Sequence, residues 1–111
     1  MKICVTSKGE GKDSLVEERF GRAPYFVFVD TESGESETLE NPFLNESGGV
    51  GPRIVQLIVK EGADVVITGQ LGGNATTTLQ ASGIKVFAFD GSGTVAEAIT
   101  AYSEGKLRQL I

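Results

Sequence analysis

Histidine and tryptophan are absent from this 111-residue sequence, and cysteine occurs once, as Cys4. One cysteine cannot form a disulfide within the chain, and a chain without histidine cannot supply the three or four Cys and His ligands of a conventional zinc site. The missing histidine also excludes a histidine general base and a Ser-His-Asp triad. We therefore predict no catalytic residue, no metal site and a reducing, cytoplasmic location.

Basic residues are scarce, and no long hydrophobic run is present. The sequence has 10 Lys and Arg residues against 15 Asp and Glu residues, which gives a net charge of −5 at pH 7. The attraction to phosphates that drives most nucleic-acid binding is therefore missing, and we expect no nucleic-acid partner. No apolar run approaches the roughly 18 residues that a transmembrane helix needs, and no signal-like leader opens the chain, so we expect no membrane partner.

The composition that remains is typical of a folded domain. Hydrophobic residues make up 40% and charged residues 23% of the chain, close to the averages for water-soluble globular proteins. A chain of this length has room for one modest hydrophobic core. We therefore predict a single domain over residues 1–111.

The negative charge is concentrated in one segment. Six acidic residues and no basic residue occupy positions 30–46, namely Asp30, Glu32, Glu35, Glu37, Glu40 and Glu46. We favour a solvated hairpin edge, whose charges prevent aggregation between sheets. A docking surface for a basic partner is the alternative.

Hydrophobic periodicity and turn residues predict five strands and three helices. Apolar or β-branched runs predict strands at residues 2–6, 25–31, 35–41, 64–68 and 85–89. Helices are predicted over 53–61, from the glycine-rich turn at 69–74 to about residue 81, and over 94–104. Pro52 suits the first helical position, and Thr94 with Glu97 forms a capping box. The long loop over residues 7–24 is expected to hold one helical turn near residues 14–18.

The order of these elements predicts a mixed α/β sheet. A hairpin followed by alternating strands and helices places the first strand at the centre, between the hairpin and the last two strands. The resulting five-stranded sheet has the order 3-2-1-4-5 with strand 2 antiparallel, the topology of a ribonuclease H-like three-layer fold. Nuclease chemistry is not expected, because the first strand carries no acidic residue to hold catalytic metal ions.

Three glycine-rich connections, at residues 48–51, 69–73 and 91–93, are predicted to meet at the carboxyl edge of the sheet. The chain changes direction there, and open α/β sheets bind ligands at such switch points. Helix N-termini and nearby arginines attract anions. The residues predicted to bind an anionic ligand are Arg22, Gly49, Gly51, Arg53, Gly69, Gly72, Gly73 and Asn74. The alternative is that the glycines serve loop geometry alone and that Arg19 pairs with Glu17 or Asp13.

One segment resembles a known protein family. Residues 20–26 read FGRAPYF, and this run is similar to the signature of the dinitrogenase iron-molybdenum cofactor biosynthesis family, which includes NifX and the C-terminal domain of NifB. Further similar pieces follow in the family's order at residues 41–42, 49–51, 67–72 with 74–75, 83–86 and 105–107. The resemblance therefore spans nearly the whole chain.

The resemblance implies a ribonuclease H-like fold and a function without catalysis. It implies a carrier or scaffold for an anionic iron-sulfur or iron-molybdenum cofactor or its precursor, with a cofactor-biosynthesis protein as partner. Nitrogenase-associated members engage the cofactor partly through His or Cys, and the 48–51 loop offers neither. Two alternatives therefore remain: a small-anion binding or regulatory module without metal, and an interaction domain that acts through the acidic segment.

Cys4 is the one soft metal ligand in the sequence. It lies in an apolar strand, where a cysteine is most often a small core residue. We predict that role for Cys4, with ligation of a metal cluster as the alternative.

Overall fold

One mixed sheet organises the fold. The structure is a computed structural model that describes residues 1–46, 50–90 and 92–111. Within these ranges six strands pair in the order 3-2-1-4-5-6, and they are β1 (Lys2–Ser7), β2 (Tyr25–Asp30), β3 (Ser36–Glu40), β4 (Val65–Thr68), β5 (Lys85–Ala88) and β6 (Arg108–Gln109). β1 pairs antiparallel with β2 and parallel with β4. It is therefore the central strand at which the chain changes direction.

The predicted order of the first five strands and the antiparallel direction of β2 are confirmed, but the predicted count of five strands is wrong. The sixth strand, β6, has two residues and runs antiparallel to β5. It is too short to produce an alternating pattern, and its neighbours hold it through the backbone. The Leu110 N–H donates to the carbonyl oxygen of Val86 at 2.7 Å, and Leu110 and Ile111 pack against the core.

In the described part of the chain three helices cover the two faces of the sheet, namely α1 (Val50–Lys60), α2 (Gly73–Ser82) and α3 (Val95–Ser103). α1 and α2 pack together on one face, over a core that includes Phe26, Ile54 and Leu79. α3 covers the other face, over a core that includes Val5 and Ile67. None of these helices is long and apolar enough to cross a lipid bilayer.

The starts of α3 and α1 test two predictions made from the sequence. The predicted capping box is confirmed, because the Glu97 N–H donates to Thr94 Oγ1 at 3.1 Å and the Thr94 N–H donates to Glu97 Oε1 at 2.8 Å. The prediction that Pro52 opens α1 is wrong, since Val50 and Gly51 are already helical. Proline is tolerated in this first turn because the first four N–H groups of a helix have no intrahelical acceptor.

Residues 14–18 of the long loop between β1 and β2 are not helical, so the helical turn predicted there is wrong. Instead Leu15 pairs with the distant Thr94, and Val16 pairs with Ser7 at the end of β1. Val16 is 7% exposed and belongs to the core under α3. This burial and long-range pairing outweigh the weak local preference for a helix. A short 3-10 turn forms further on, at Phe20–Arg22.

Candidate functional site

The crevice in which we predicted a ligand, at the carboxyl ends of β1 and β4, is filled by the chain itself. Thr6 and Thr68 lie there and are fully buried. The Thr6 hydroxyl lies 2.7 Å from the carbonyl oxygen of Glu17 and 2.9 Å from the Thr68 hydroxyl. Because a hydroxyl has one proton, Thr6 donates to Glu17 and accepts from Thr68. The segment that precedes the 3-10 turn therefore seals the switch point.

Gly69 is part of the same seal. Its N–H donates to the carbonyl oxygen of Glu18 at 3.0 Å, and the Gln70 N–H donates to the same oxygen at 2.6 Å. A Cβ atom at position 69 would lie 2.8 Å from that oxygen, so the close approach of the two segments requires glycine. The Gly69 N–H is thus engaged within the chain.

A pocket of about 290 Å³ opens beside the sealed crevice. It lies between the 3-10 turn and the first turns of α1 and α2. Its described lining comprises Phe20, Gly21, Arg22, Glu46, Val50, Gly51, Gly72, Gly73, Asn74 and Ala75. The pocket therefore combines the backbone of two helix starts with one basic and one acidic residue.

The N-termini of α1 and α2 meet at this pocket. A Cβ atom at Gly51 would lie 3.1 Å from the Cβ atom and 3.2 Å from the backbone nitrogen of Ala75, so glycine permits the close contact. The residue before α2 is Gly72, which has no side chain to cap the helix. Among the described residues, the N–H groups of Gly73, Asn74 and Ala75 have no hydrogen-bond acceptor. Such groups, together with the helix dipole, attract an anion.

The arginines near the pocket differ in what they contact. Arg22 lines the pocket, is exposed, and forms no ion pair with any described residue. Arg53 pairs with Glu46 and lies over the Phe43 ring, 5.6 Å from its centroid. Arg19 lies 3.6 Å from a carboxylate oxygen of Glu17, which is one of the two pairings considered from the sequence.

The structure brings together five of the eight residues predicted from the sequence to bind an anion. Arg22, Gly51, Gly72, Gly73 and Asn74 all line the pocket. Arg53 and Gly69 do not line it, and Gly49 lies outside the described residues.

In the third glycine-rich connection, at residues 91–93, the described residues Ser92 and Gly93 do not line this pocket. In its described part, Gly93 lies against the Phe89 ring and accepts a hydrogen bond from the Val16 N–H at 2.9 Å, on the α3 side of the sheet. The reason is topological, since α3 packs on the face opposite to α1 and α2.

Five lining residues were not predicted from the sequence: Phe20, Gly21, Glu46, Val50 and Ala75. Phe20 and Gly21 belong to the FGRAPYF run, which could have indicated them. The other three are brought to the pocket by the way α1 and α2 pack.

Cys4 is a core residue, as predicted. It is fully buried opposite Phe28 and Val66 of the neighbouring strands, in the core beneath α1 and α2. Burial removes water from the thiol and raises its pKa far above the ordinary value of 9.0. The thiol is therefore protonated at neutral pH. Cys4 is not among the residues that line the pocket.

Comparison with known proteins assigns the chain to a family. A sequence family described as dinitrogenase iron-molybdenum cofactor matches residues 1–105. The chain belongs to this family. The resemblance noted in the FGRAPYF run is thereby confirmed over nearly the whole length.

The chain is similar to proteins of known structure and to a protein known from its sequence. The apo form of the orange protein from Desulfovibrio gigas superposes with a TM-score of 0.93 at 38% identity, over 97% of this chain and 91% of that one. A NifB-like protein from Thermotoga superposes with a TM-score of 0.87 at 44% identity, over 98% and 92% of the two chains. An uncharacterised protein of Methanocaldococcus jannaschii is 32% identical over 93 residues, 81% of this chain and 78% of that protein.

Proposed function

We propose that this family member is a noncatalytic carrier or scaffold that binds an anionic iron-sulfur or iron-molybdenum cofactor, or a precursor of one, in the pocket between the 3-10 turn and the starts of α1 and α2. The observation that carries the proposal is the convergence of two helix N-termini on one pocket of about 290 Å³. The protein has a net charge of −5, so its overall field repels anions. The two helix N-termini and Arg22 create a positive field at the pocket, opposite in sign to the overall field. Such a local field indicates a specific anionic ligand.

Each part of the pocket has a role in this function. The N–H groups of Gly73, Asn74 and Ala75 donate hydrogen bonds to the ligand, and the dipole of α2 favours its negative charge. Arg22 contributes a charge-assisted hydrogen bond from the opposite wall. Phe20 belongs to the same 3-10 turn, and its side chain is buried in the core, where it anchors the turn that carries Arg22.

The donor chemistry of the pocket suits a cluster that is carried as cargo with its own ligands. Soft metal ions prefer thiolate and imidazole, but the chain has no histidine and its one thiol is buried in the core. No group of three or more His, Cys, Asp or Glu side chains that is able to hold a metal ion occurs in the described ranges. The cluster is therefore held as a whole anion, through its sulfide or oxide atoms, without a bond from the protein to the metal.

Anaerobic reconstitution tests the proposal. The chain is incubated with ferrous iron, sulfide and molybdate, desalted, and analysed by absorbance and metal content. We expect metal and chromophore to elute with the protein, and the Arg22→Ala variant to bind about tenfold more weakly, as for the loss of one charge-assisted contact. Arg108→Ala is the matched control, because Arg108 is an exposed arginine that pairs with Asp90 outside the pocket. Metal-free parent protein after desalting contradicts the carrier function.

A second candidate is a module that binds or senses a small anion without metal. The lack of soft ligands in the pocket favours it, because backbone N–H groups and an arginine recognise oxoanions equally well. In that case molybdate or phosphate binds alone, and iron with sulfide adds nothing to the affinity. Calorimetric titration of each anion, with and without iron and sulfide, separates the two functions.

We further propose a ribonuclease H-like class for the fold. The support is the order 3-2-1-4-5 of the first five strands with β2 antiparallel, to which β6 adds an edge.

A further inference from the structure

The proposed anion pocket contains a carboxylate. Glu46 lines the pocket on the side of α1, and its Oε1 atom accepts a hydrogen bond from Nη1 of Arg53. The Glu46 side chain is 42% exposed and that of Arg53 is 54% exposed. A negative charge in the wall of a site for anions opposes ligand binding, so its presence calls for an explanation other than affinity.

The ion pair also determines where Arg53 lies. Arg53 stands in the first turn of α1, next to the pocket in sequence, yet it does not line the pocket. Glu46 holds its guanidinium, and the Phe43 ring supports it at 5.6 Å. Of the two arginines that the sequence predicted for the ligand, Arg22 lines the pocket and pairs with no acidic residue in the described part of the chain, whereas Arg53 is held outside the lining by a carboxylate.

We propose that Glu46 is the specificity-determining residue of this pocket, and that it selects large anions of low charge density over small divalent oxoanions. This inference rests on the proposed function. The Glu46 carboxylate repels a ligand in proportion to the ligand's charge and withholds Arg53 from it. A cluster whose charge is spread over many sulfur atoms is penalised less than an oxoanion with two charges on four oxygens.

Two tetrahedral oxoanions of similar size, molybdate with charge −2 and perrhenate with charge −1, test the selection. Neutralising the carboxylate in Glu46→Gln removes the repulsion and releases Arg53. We expect molybdate to bind about fivefold more tightly, the scale of an exposed ion pair, and perrhenate about twofold, because Coulomb energy scales with charge. The affinities are measured by calorimetry at low ionic strength.

Glu32→Gln is the matched control. It changes the net charge equally, but Glu32 is exposed in the turn between β2 and β3, at the opposite edge of the sheet. The resonance of the Arg53 Nε–H group gives a second measurement, which is expected to shift on addition of molybdate in Glu46→Gln and not in the parent protein.

The possible results separate the role of Glu46 from the existence of the anion pocket. Equal effects of Glu46→Gln and Glu32→Gln, or an unchanged ratio of molybdate to perrhenate affinity, overturn the role of Glu46 and leave the proposed pocket in place. Absence of binding of both anions by both the parent and Glu46→Gln overturns the role of Glu46 and the proposed pocket together.

Discussion

Among single residues, Cys4 bears most directly on how the proposed metal cluster is held. Its neighbours Ile3 and Val5 are fully buried, and so is Cys4. Burial was predictable because an uninterrupted apolar run of this kind fits a strand that is covered on both faces. The raised pKa of the thiol adds that it is neutral at pH 7. A neutral thiol in the core contributes packing, and we expect it to form no metal bond.

Substitution of Cys4 tests this assignment. Cys4→Ala removes one buried atom and is expected to lower the free energy of unfolding by about 1 kcal/mol. Cys4→Ser buries a hydroxyl in the same place and is expected to cost about 1 to 3 kcal/mol. Urea unfolding measures both effects. The metal content after reconstitution is expected to be unchanged in Cys4→Ala, and its loss in a folded variant would make Cys4 a cluster ligand.

The raised pKa of Cys4 also predicts how stability depends on pH. In the unfolded chain the thiol ionises near its ordinary pKa of 9.0, whereas in the folded protein it stays protonated. The folded state therefore binds one more proton above pH 9.0, and stability falls as the pH rises further, by up to about 1.4 kcal/mol per pH unit from this group. Unfolding of the parent between pH 8 and pH 10.5 is expected to show a steeper loss than Cys4→Ala. Parallel pH profiles of the two proteins would contradict the burial of a neutral thiol.

Among the elements, the helices and strands were more predictable than the loop that shapes the site. Thr94 and Glu97 identify the start of α3 because their capping box is local in sequence. The loop between β1 and β2 is held by contacts far along the chain, such as the 2.6 Å hydrogen bond from the Gln70 N–H to the Glu18 carbonyl oxygen. Sequence patterns report local preference, so they indicated a helical turn there and missed the seal over the switch point.

A pair of glycine substitutions tests the seal. Gly69→Ala places a Cβ atom 2.8 Å from the Glu18 carbonyl oxygen and 2.9 Å from the Glu18 Cα atom. These are backbone atoms that cannot rotate away, so we expect a loss of about 1 to 3 kcal/mol in the free energy of unfolding. Gly73→Ala is the control, because among the described residues no atom lies within 4 Å of the added Cβ.

Gly73 stands at the first position of α2, where alanine favours the helix. We expect Gly73→Ala to leave stability unchanged or to raise it by about 0.5 kcal/mol. Thermal unfolding of both variants measures the difference. If the two substitutions cost the same, the contact between Gly69 and Glu18 does not constrain the loop.

Across the whole molecule, strand order was predictable and the position of the pocket was not. A hairpin followed by two crossover units leaves few ways to build the sheet, so the order 3-2-1-4-5 followed from the succession of elements. The pocket depends on how α1 and α2 pack, with Gly51 against Ala75. No local sequence pattern predicts the angle at which two helices pack. The glycines and Arg22 could be predicted, because they stand in segments that the strand order brings to one edge of the sheet. Glu46 could not be predicted, because it reaches the pocket only through that packing.

The pocket joins three segments that are distant in sequence: the 3-10 turn, the start of α1 and the start of α2. A ligand that bridges them binds the folded chain and not the unfolded one, so binding must raise the melting temperature. At a ligand concentration of one hundred times Kd the stabilisation is about 2.7 kcal/mol. For a chain of 111 residues this corresponds to a rise of about 10 °C.

The same linkage gives a quantitative prediction for Arg22. Arg22→Ala, with an affinity about tenfold lower, has at the same ligand concentration only about 1.4 kcal/mol of stabilisation, so the rise in melting temperature is expected to be about half that of the parent. Arg108→Ala is expected to keep the full rise, because its side chain lies outside the pocket. Scanning calorimetry over a series of molybdate concentrations measures all three proteins. Equal shifts in the parent and in Arg22→Ala would show that the bound anion does not contact Arg22, and would leave the N–H groups of α2 as its principal donors.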